Sequence, residues 1–410
     1  MKNDINLKKS FIVIVILFIC FTFGFIRYDN KLKANNILED ENTDEVIDDE
    51  VELELVKDAK TAILIEPTTL EVIYEKNADE VRPPASMTKI MTMILIAEAI
   101  KNNVLRLDQE LTASEYASSM GGTNIYLEPG EKMSVEDLLK SIAINSANDS
   151  SVVFAEAIGG SETNFVKMMN HKAKQIGATN TVFKNCNGLP EPGHVSTARD
   201  MAIMGAYLVN HHPEILDYTK IYEDYLREGQ PNRFWLVNTN KLVKFVEGVD
   251  GIKTGWTNES GYCLTATIKR DDKRFIAVTM GNSDPKVRNA EIMQMLNYAL
   301  STYDVHPIYK KNNVIETYED VRFYPKCYNI VISEDVNVLR KKGTDLKEIK
   351  TEINIIYENI GYDNKKVGII KIFYDGKLLK EVDLVVEEDV VKASFFNILY
   401  EVFKEIFLVS

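Results

Sequence analysis

The sequence predicts a mixed α/β domain, then a small all-β domain, then a single amphipathic helix. Three observations predict it. From Thr61 to about residue 305, helix-period apolar segments are embedded between strand-like runs. Beyond about His306 the pattern changes to short alternating runs. The last segment, Lys392 to Ser410, sets Phe395, Leu399, Val402, Phe403, Ile406 and Val409 on one helical face, opposite Asn397, Glu401, Lys404 and Glu405.

The 410 residues, 45% hydrophobic and 27% charged, suffice for two or three domains with ordinary cores. A net charge of −14 argues against nucleic acid as a partner, because a phosphate-binding surface needs clustered Lys and Arg. Phe11 to Ile26 (FIVIVILFICFTFGFI) is an unbroken run of low polarity behind Lys2, Lys8 and Lys9, the pattern of an export signal. It is longer than the usual core of a cleaved leader and shorter than a full span, and no clean small-x-small site follows. Residues 1–34 therefore read as a signal peptide or a signal anchor. Residues 35–55 follow as an acidic linker, in which EDENTDEVIDDEVELE carries too much like charge to bury a core.

Ordered structure begins with TAILIEPTTLEVIYEKNAD, two β-rich runs around a Pro-Thr-Thr turn, expected as a hairpin at a sheet edge. Ser86 to Asn102 is apolar almost all round and reads as a buried helix, its start set by Pro83 and Pro84. Further helices are expected at Val135–Ile144, Ser150–Ala157, Ser161–Gln175 and Thr197–Leu208, and strands at Gly261–Ile268 and Arg274–Met280. The all-β part takes its strands from Asn313–Thr317, Tyr328–Ser333, Val336–Arg340, Glu352–Glu358, Val367–Tyr374 and Leu378–Val386. Of four cysteines, Cys20 lies in the export segment. Cys186, Cys263 and Cys327 have no paired spacing for a disulfide framework or a zinc site, and are expected as buried thiols.

Three short motifs occur in order: Ser86-Met-Thr-Lys89, Ser146-Ala-Asn148 and Lys253-Thr254-Gly255. Singly each is weak: a surface Ser and Lys, a helix cap and an exposed turn lysine are the plain readings. Ser283-Asp-Pro-Lys286 also matches S-x-x-K, but Pro285 and its turn-forming neighbours argue against a helix there. The Ser86 match opens a strong helix, where residues three apart share a face. A buried lysine can then stay neutral and take the serine proton, with the helix start near a developing oxyanion. Ser146 can relay a proton, and Asn148 can hold a substrate backbone. Lys253 adds positive potential, Thr254 a hydroxyl for a carboxylate, and Gly255 room for a ligand against the backbone.

Together the motifs resemble the serine penicillin-recognising enzymes. PPASMTKIMT, GTNIYLEPGEKMSVEDLL, INSANDSSVVFAEAIGGS, TNTVFKNCNGLPEPGHVSTARDMA and VDGIKTGWTNESGYCLTAT look like the D-alanyl-D-alanine carboxypeptidases of low molecular mass. The resemblance runs from about Asp58 to the C-terminus and leaves out the acidic linker. It implies a β-lactamase/transpeptidase-like catalytic domain over 56–305, a small β-sandwich over 306–390 and a membrane-associating helix over 391–410. It also implies Ser86 as acylated nucleophile, Lys89 as base and Ser146 as relay. Asn148, Lys253, Thr254 and Arg288 would bind substrate, the last two its terminal carboxylate, and the backbone N–H groups of Ser86 and Trp256 would form the oxyanion hole. Trp256 stands where some relatives carry histidine.

The expected reaction removes the terminal D-alanine from peptidoglycan stem peptides ending in D-Ala-D-Ala, with no metal or other cofactor, and β-lactams act as inhibitors. The expected place is the extracytoplasmic face of the bacterial cytoplasmic membrane. The alternatives are a β-lactamase or transpeptidase of the same fold, or a decayed wall-binding scaffold.

Overall fold

The computed structural model describes residues 53–361 and 366–408. The export segment Phe11–Ile26 and the acidic stretch up to residue 52 lie outside the described residues.

Strands β1 (Thr61–Ile65) and β2 (Val72–Lys76) pair antiparallel. The Glu66 carboxylate holds their turn by accepting from the N–H groups of Thr68 (3.0 Å) and Thr69 (2.7 Å). The helices follow: α1 (Lys89–Lys101), α2 (Val135–Lys140), α3 (Asn148–Gly159), α4 (Glu162–Gln175) and α5 (Ala198–His211). Ser134, Ser161 and Thr197 cap α2, α4 and α5 by accepting from the N–H three residues on. A hairpin of β3 (Glu223–Leu226) and β4 (Phe234–Val237) comes next, then β5 (Val249–Thr257), β6 (Gly261–Arg270) and β7 (Lys273–Asn282).

The main sheet runs β2-β1-β7-β6-β5, with β2 at one edge as expected and β5 at the other. Alternation along β1 feeds two cores. Ile63 and Ile65 pack with α1 and α5, whereas Ala62 and Leu64 face helix α6 (Pro285–Thr302) through Ile292, Met295 and Leu296. A sheet covered on both faces explains why its central strands are apolar at almost every position.

The α6 helix overturns the expectation drawn from Pro285. A proline at the first helical position loses no hydrogen bond, because that N–H would be unpaired anyway. Asp284 caps the helix by accepting from the N–H of Lys286 at 2.6 Å. Ser283 stays outside it, donating its hydroxyl to Asp58 at 2.8 Å.

Beyond α6 come β8 (Tyr303–Tyr309), β9 (Val314–Glu319), β10 (Cys327–Ile332), β11 (Val336–Lys341), β12 (Ile349–Ile355), β13 (Lys366–Tyr374) and β14 (Lys377–Val386). Five form an antiparallel sheet in the order β9-β10-β14-β13-β12, and β8 pairs with β11. Tyr328, Ile330, Ile332, Val336, Ile370 and Leu384 are among its core residues. Cys186 and Cys263 are buried, but Cys327 is exposed. On β10 the even-numbered residues point to the core, so the odd-numbered Cys327 faces away.

The last helix, α7 (Phe395–Leu408), begins three residues later than Lys392, which instead pairs with Phe323 in a short bridge of strand. Phe395 and Phe396 are 72% and 77% exposed. Its polar side lies against the β part: Asn397, Glu401 and Lys404 line a groove with Tyr324 and Cys327, and Lys326 pairs with Glu401 at 3.3 Å.

Candidate active site

Ser86 lies in a tight 3-10 turn, Ala85–Thr88, immediately before α1 rather than in its first α-turn. Ala85 has φ of +48°, so the chain bends sharply into the turn. Two glycines accommodate it. A Cβ on Gly188 would sit 2.0 Å from the Ala85 carbonyl oxygen and 2.9 Å from the Ser86 nitrogen. One on Gly255 would sit 2.7 Å from the Pro84 carbonyl oxygen. Backbone therefore presses on the turn from two sides, which no side chain would permit.

Lys89 Nζ lies 3.1 Å from Ser86 Oγ. The ammonium also donates to Asn148 Oδ1 and to the Asn187 carbonyl, both at 2.6 Å. The side chain is fully buried, and loss of hydration pushes its pKa down to about 7. The serine is only half-buried, so a ligand can reach it while the base stays dry.

A short π-helical turn, Ser141–Asn145, extends α2 and ends at Ser146 in the left-handed region, φ +71°. A non-glycine residue in that region is conformationally disfavoured. Ser146 is 5% exposed, and its hydroxyl has no hydrogen-bond partner among the described residues. Asn148 opens α3. Its Nδ2 donates to the Gly121 carbonyl at 2.7 Å, so the amide positions Lys89 and keeps one hydrogen for a ligand.

Lys253, Thr254 and Gly255 sit within edge strand β5, not in the turn that precedes it. Thr254 Oγ1 donates to Thr239 Oγ1 at 2.7 Å. Gly255 brings the strand against Pro84 and Met87, and the backbone of Trp256 follows directly. The Trp256 ring is half-exposed, 5.9 Å from that of Tyr262.

Lys253 and Arg288, the latter in the first turn of α6, are buried with Lys89. Burial lowers the Lys253 pKa well below its ordinary value, and the charges of Lys89 and Arg288 lower it further. Burial also lowers that of Arg288, to about 10. Among the described residues none of the three meets a carboxylate in an ion pair. Their hydrogen bonds go to Ser86, Asn148, Asn187, Thr254, Asn289 and Cys263. Three buried basic groups without an acidic partner, of which Arg288 keeps its charge, suit the site to an anion. No group of His, Cys, Asp and Glu suited to a metal ion occurs among the described residues.

The candidates from all three motifs and Arg288 thus converge. Sequence reasoning missed the backbone parts: the Asn187 carbonyl, the Gly121 carbonyl and the Gly188 contact. The Asn-Gly pair at 187–188 signals a turn, but no pattern says what a turn's carbonyl will meet. It also missed His194. Its Nδ1 accepts from the Lys184 N–H at 3.2 Å, so Nε2 carries the proton and donates to Thr88 at 2.8 Å.

A Ser-x-x-Lys turn held between a Ser-x-Asn bend and a Lys-Thr-Gly edge strand, on a sheet covered by helices, is the arrangement of the serine penicillin-recognising enzymes. The comparisons agree and narrow it. A family model described as D-alanyl-D-alanine carboxypeptidase matches residues 49–284. The chain is 48% identical over 349 residues to the D-alanyl-D-alanine carboxypeptidase DacF of Bacillus subtilis (strain 168), covering 84% of this chain and 89% of that one. Among solved structures, penicillin-binding protein 5 of Haemophilus influenzae matches with a TM-score of 0.64 at 26% identity, covering 82% of this chain and 98% of that one. Penicillin-binding protein D2 of Listeria monocytogenes, in its ampicillin-bound form, matches with a TM-score of 0.52 at 31% identity, over 60% and 98%. The chain belongs to the D-alanyl-D-alanine carboxypeptidase family.

Proposed function

We propose that this serine-type D-Ala-D-Ala carboxypeptidase acts on peptidoglycan stem peptides through an acyl-Ser86 intermediate. Ser86 Oγ attacks the carbonyl between the two D-alanines while Lys89 takes its proton. The N–H groups of Ser86 and Trp256 receive the oxyanion, and Ser146 passes a proton to the departing D-alanine amine. Water then cleaves the ester and restores the serine. Lys253, Thr254 and Arg288 hold the terminal carboxylate, while Asn148 fixes Lys89 and donates to the peptide backbone. The observation that carries this reading is a base poised near neutrality 3.1 Å from a reachable serine.

β-Lactams fit the same site, as the ampicillin-bound relative supports. Among the described residues no carboxylate hydrogen-bonds to Ser86 or Lys89, so nothing in the first contacts speeds hydrolysis of a penicilloyl ester. Intact-protein mass spectrometry after penicillin treatment tests the reading. The result expected is one long-lived adduct on the wild type and none on Ser86→Ala. Rapid drug turnover would favour a β-lactamase, and no adduct at all a non-catalytic scaffold.

The division at 56–305, 306–390 and 391–410 belongs to the same proposal, as does export by residues 1–34 to the outer face of the cytoplasmic membrane. There α7 would rest on the lipid surface. The outward aromatic side chains of Phe395 and Phe396 support this, and no helix among the described residues is long and apolar enough to cross a membrane.

A further inference from the structure

Residues 121–127 form a loop stitched onto the Ser146–Asn148 segment. Asn148 reaches it twice, from its N–H to the Thr123 carbonyl and from Nδ2 to the Gly121 carbonyl, both at 2.7 Å. Buried Asp149 accepts from the N–H groups of Ile125 at 3.1 Å and Leu127 at 3.2 Å. Arg227 fastens the other side, donating to the Ile125 carbonyl at 3.0 Å and pairing with Glu131 at 2.6 Å.

Tyr126 sits between the two N–H groups that Asp149 holds. Its φ is +56°, and its side chain is 73% exposed while Ile125 and Leu127 are buried. A bulky residue in the left-handed region is disfavoured, and an exposed ring forgoes the gain of burial. An unconstrained loop would relieve both. Here the Asp149 carboxylate and the Arg227 guanidinium hold the loop in this conformation, with the ring outward.

Among the described residues the ring meets one aromatic neighbour. Phe234, the first residue of β4, meets it edge-on with centroids 6.0 Å apart. A few residues beyond β4, the Thr239 N–H donates to the Ile144 carbonyl at 3.3 Å, and its Oγ1 accepts from Thr254. The Tyr126–Phe234 pair therefore joins the loop bound to Asn148 with the segment bound to Thr254.

We infer that Tyr126 and Phe234 form an apolar subsite for an aliphatic part of the substrate outside the D-Ala-D-Ala unit, such as the side chain of the preceding stem residue. The inference rests on the carboxypeptidase reading above. Lys253, Thr254 and Arg288 hold the carboxylate end of the peptide, and the aromatic pair offers the contact its apolar body needs. Asp149 is then a positioning residue, acting on this subsite through the loop.

The test compares full-length wild type with Tyr126→Ala and Phe234→Ala on two substrates, N-acetyl-D-Ala-D-Ala and a stem pentapeptide with a long aliphatic third side chain. Acylation by penicillin is measured alongside. Removing one aromatic contact should lower kcat/KM for the pentapeptide about five- to twentyfold. The dipeptide and penicillin rates should stay unchanged, and Tyr126→Phe should behave as wild type. Equal loss on both substrates, or no loss on the pentapeptide, overturns the subsite. If wild type releases D-alanine from neither substrate, the carboxypeptidase reading fails first and takes the subsite with it.

Discussion

The carbonyl oxygen of Asn187 lies 2.6 Å from Nζ of buried Lys89, which in turn lies 3.1 Å from Ser86 Oγ. A neutral amine still has two hydrogens to donate, so the carbonyl and Asn148 Oδ1 can hold it while its lone pair turns to the serine. The contact orients a base without fixing its charge, which burial sets.

The pH dependence of acylation follows. Burial lowers the Lys89 pKa to about 7, and the amine can accept a proton only when neutral. Acylation by penicillin should thus rise about tenfold per pH unit below that value and level off above it. His194 should not produce this inflection, because burial and the nearby Lys89 and Lys184 push its pKa down to about 4. Stopped-flow rates should show the inflection near 7 in wild type and in His194→Gln. An inflection that moves in the histidine variant means Lys89 is not the base.

The glycines around the turn give a second prediction. Gly188 has φ of +86° and no room for a Cβ beside Ala85 and Ser86, and a displacement of about 1 Å at a reacting atom can cost on the order of a hundredfold in rate. Gly188→Ala should therefore lower penicillin acylation by about that factor. Gly130→Ala shares the left-handed strain, φ +83°, with open space around it, and controls for backbone conformation. Equal rates in the two variants would show that the Gly188 contact does not position Ser86.

The three motifs were legible as residue types at local spacings, whereas Arg288 came only from the family resemblance. The helices and strands were legible because one face, or in the central sheet both, must be apolar. What was not legible depends on distant backbone. Gly188 is a turn residue by pattern, and only the fold sets it against Ala85. Pro285 misled because the same ring that breaks a helix interior suits a helix start, and the decisive neighbour was Asp284. Cys327 misled because composition gives no strand register.

Arg288 should read the free carboxylate of the terminal D-alanine. It is buried without an acidic partner among the described residues, and a charge-assisted hydrogen bond is worth roughly 1.5 to 3 kcal/mol. Arg288→Ala should lower kcat/KM on a free-acid peptide about ten- to a hundredfold. An amidated peptide should lose little further. A variant that still strongly prefers the free acid would assign that role to another group.

Ser283 provides the control for the nucleophile. It matches S-x-x-K, but its hydroxyl is committed to Asp58 and it stands outside α6. Ser283→Ala should leave peptidase activity and penicillin labelling intact, at a stability cost of about 1 kcal/mol. Labelling that vanished with Ser283 would overturn the choice of Ser86.

The final prediction concerns α7. An amphipathic helix at a protein surface normally turns its apolar side inward, so an apolar side turned outward calls for another partner. Here Lys326 pairs with Glu401 while Phe395 and Phe396 stand exposed. The alternative in which the apolar side docks on the β part does not match that orientation. Crossing the bilayer is disfavoured as well, since Glu401, Lys404 and Glu405 would have to leave water at a cost of several kcal/mol in total. Lying flat keeps the polar edge against the protein and lets the rings enter the lipid boundary. Each buried Phe contributes about 1.5 to 3 kcal/mol, so Phe395→Ser with Phe396→Ser should weaken liposome binding more than a hundredfold in a chain lacking residues 1–34. Thermal stability and activity on a small soluble peptide should not change, because neither ring is packed in a core. If the double variant loses stability instead, the rings serve the fold; if it binds liposomes as tightly as before, the membrane contact lies elsewhere.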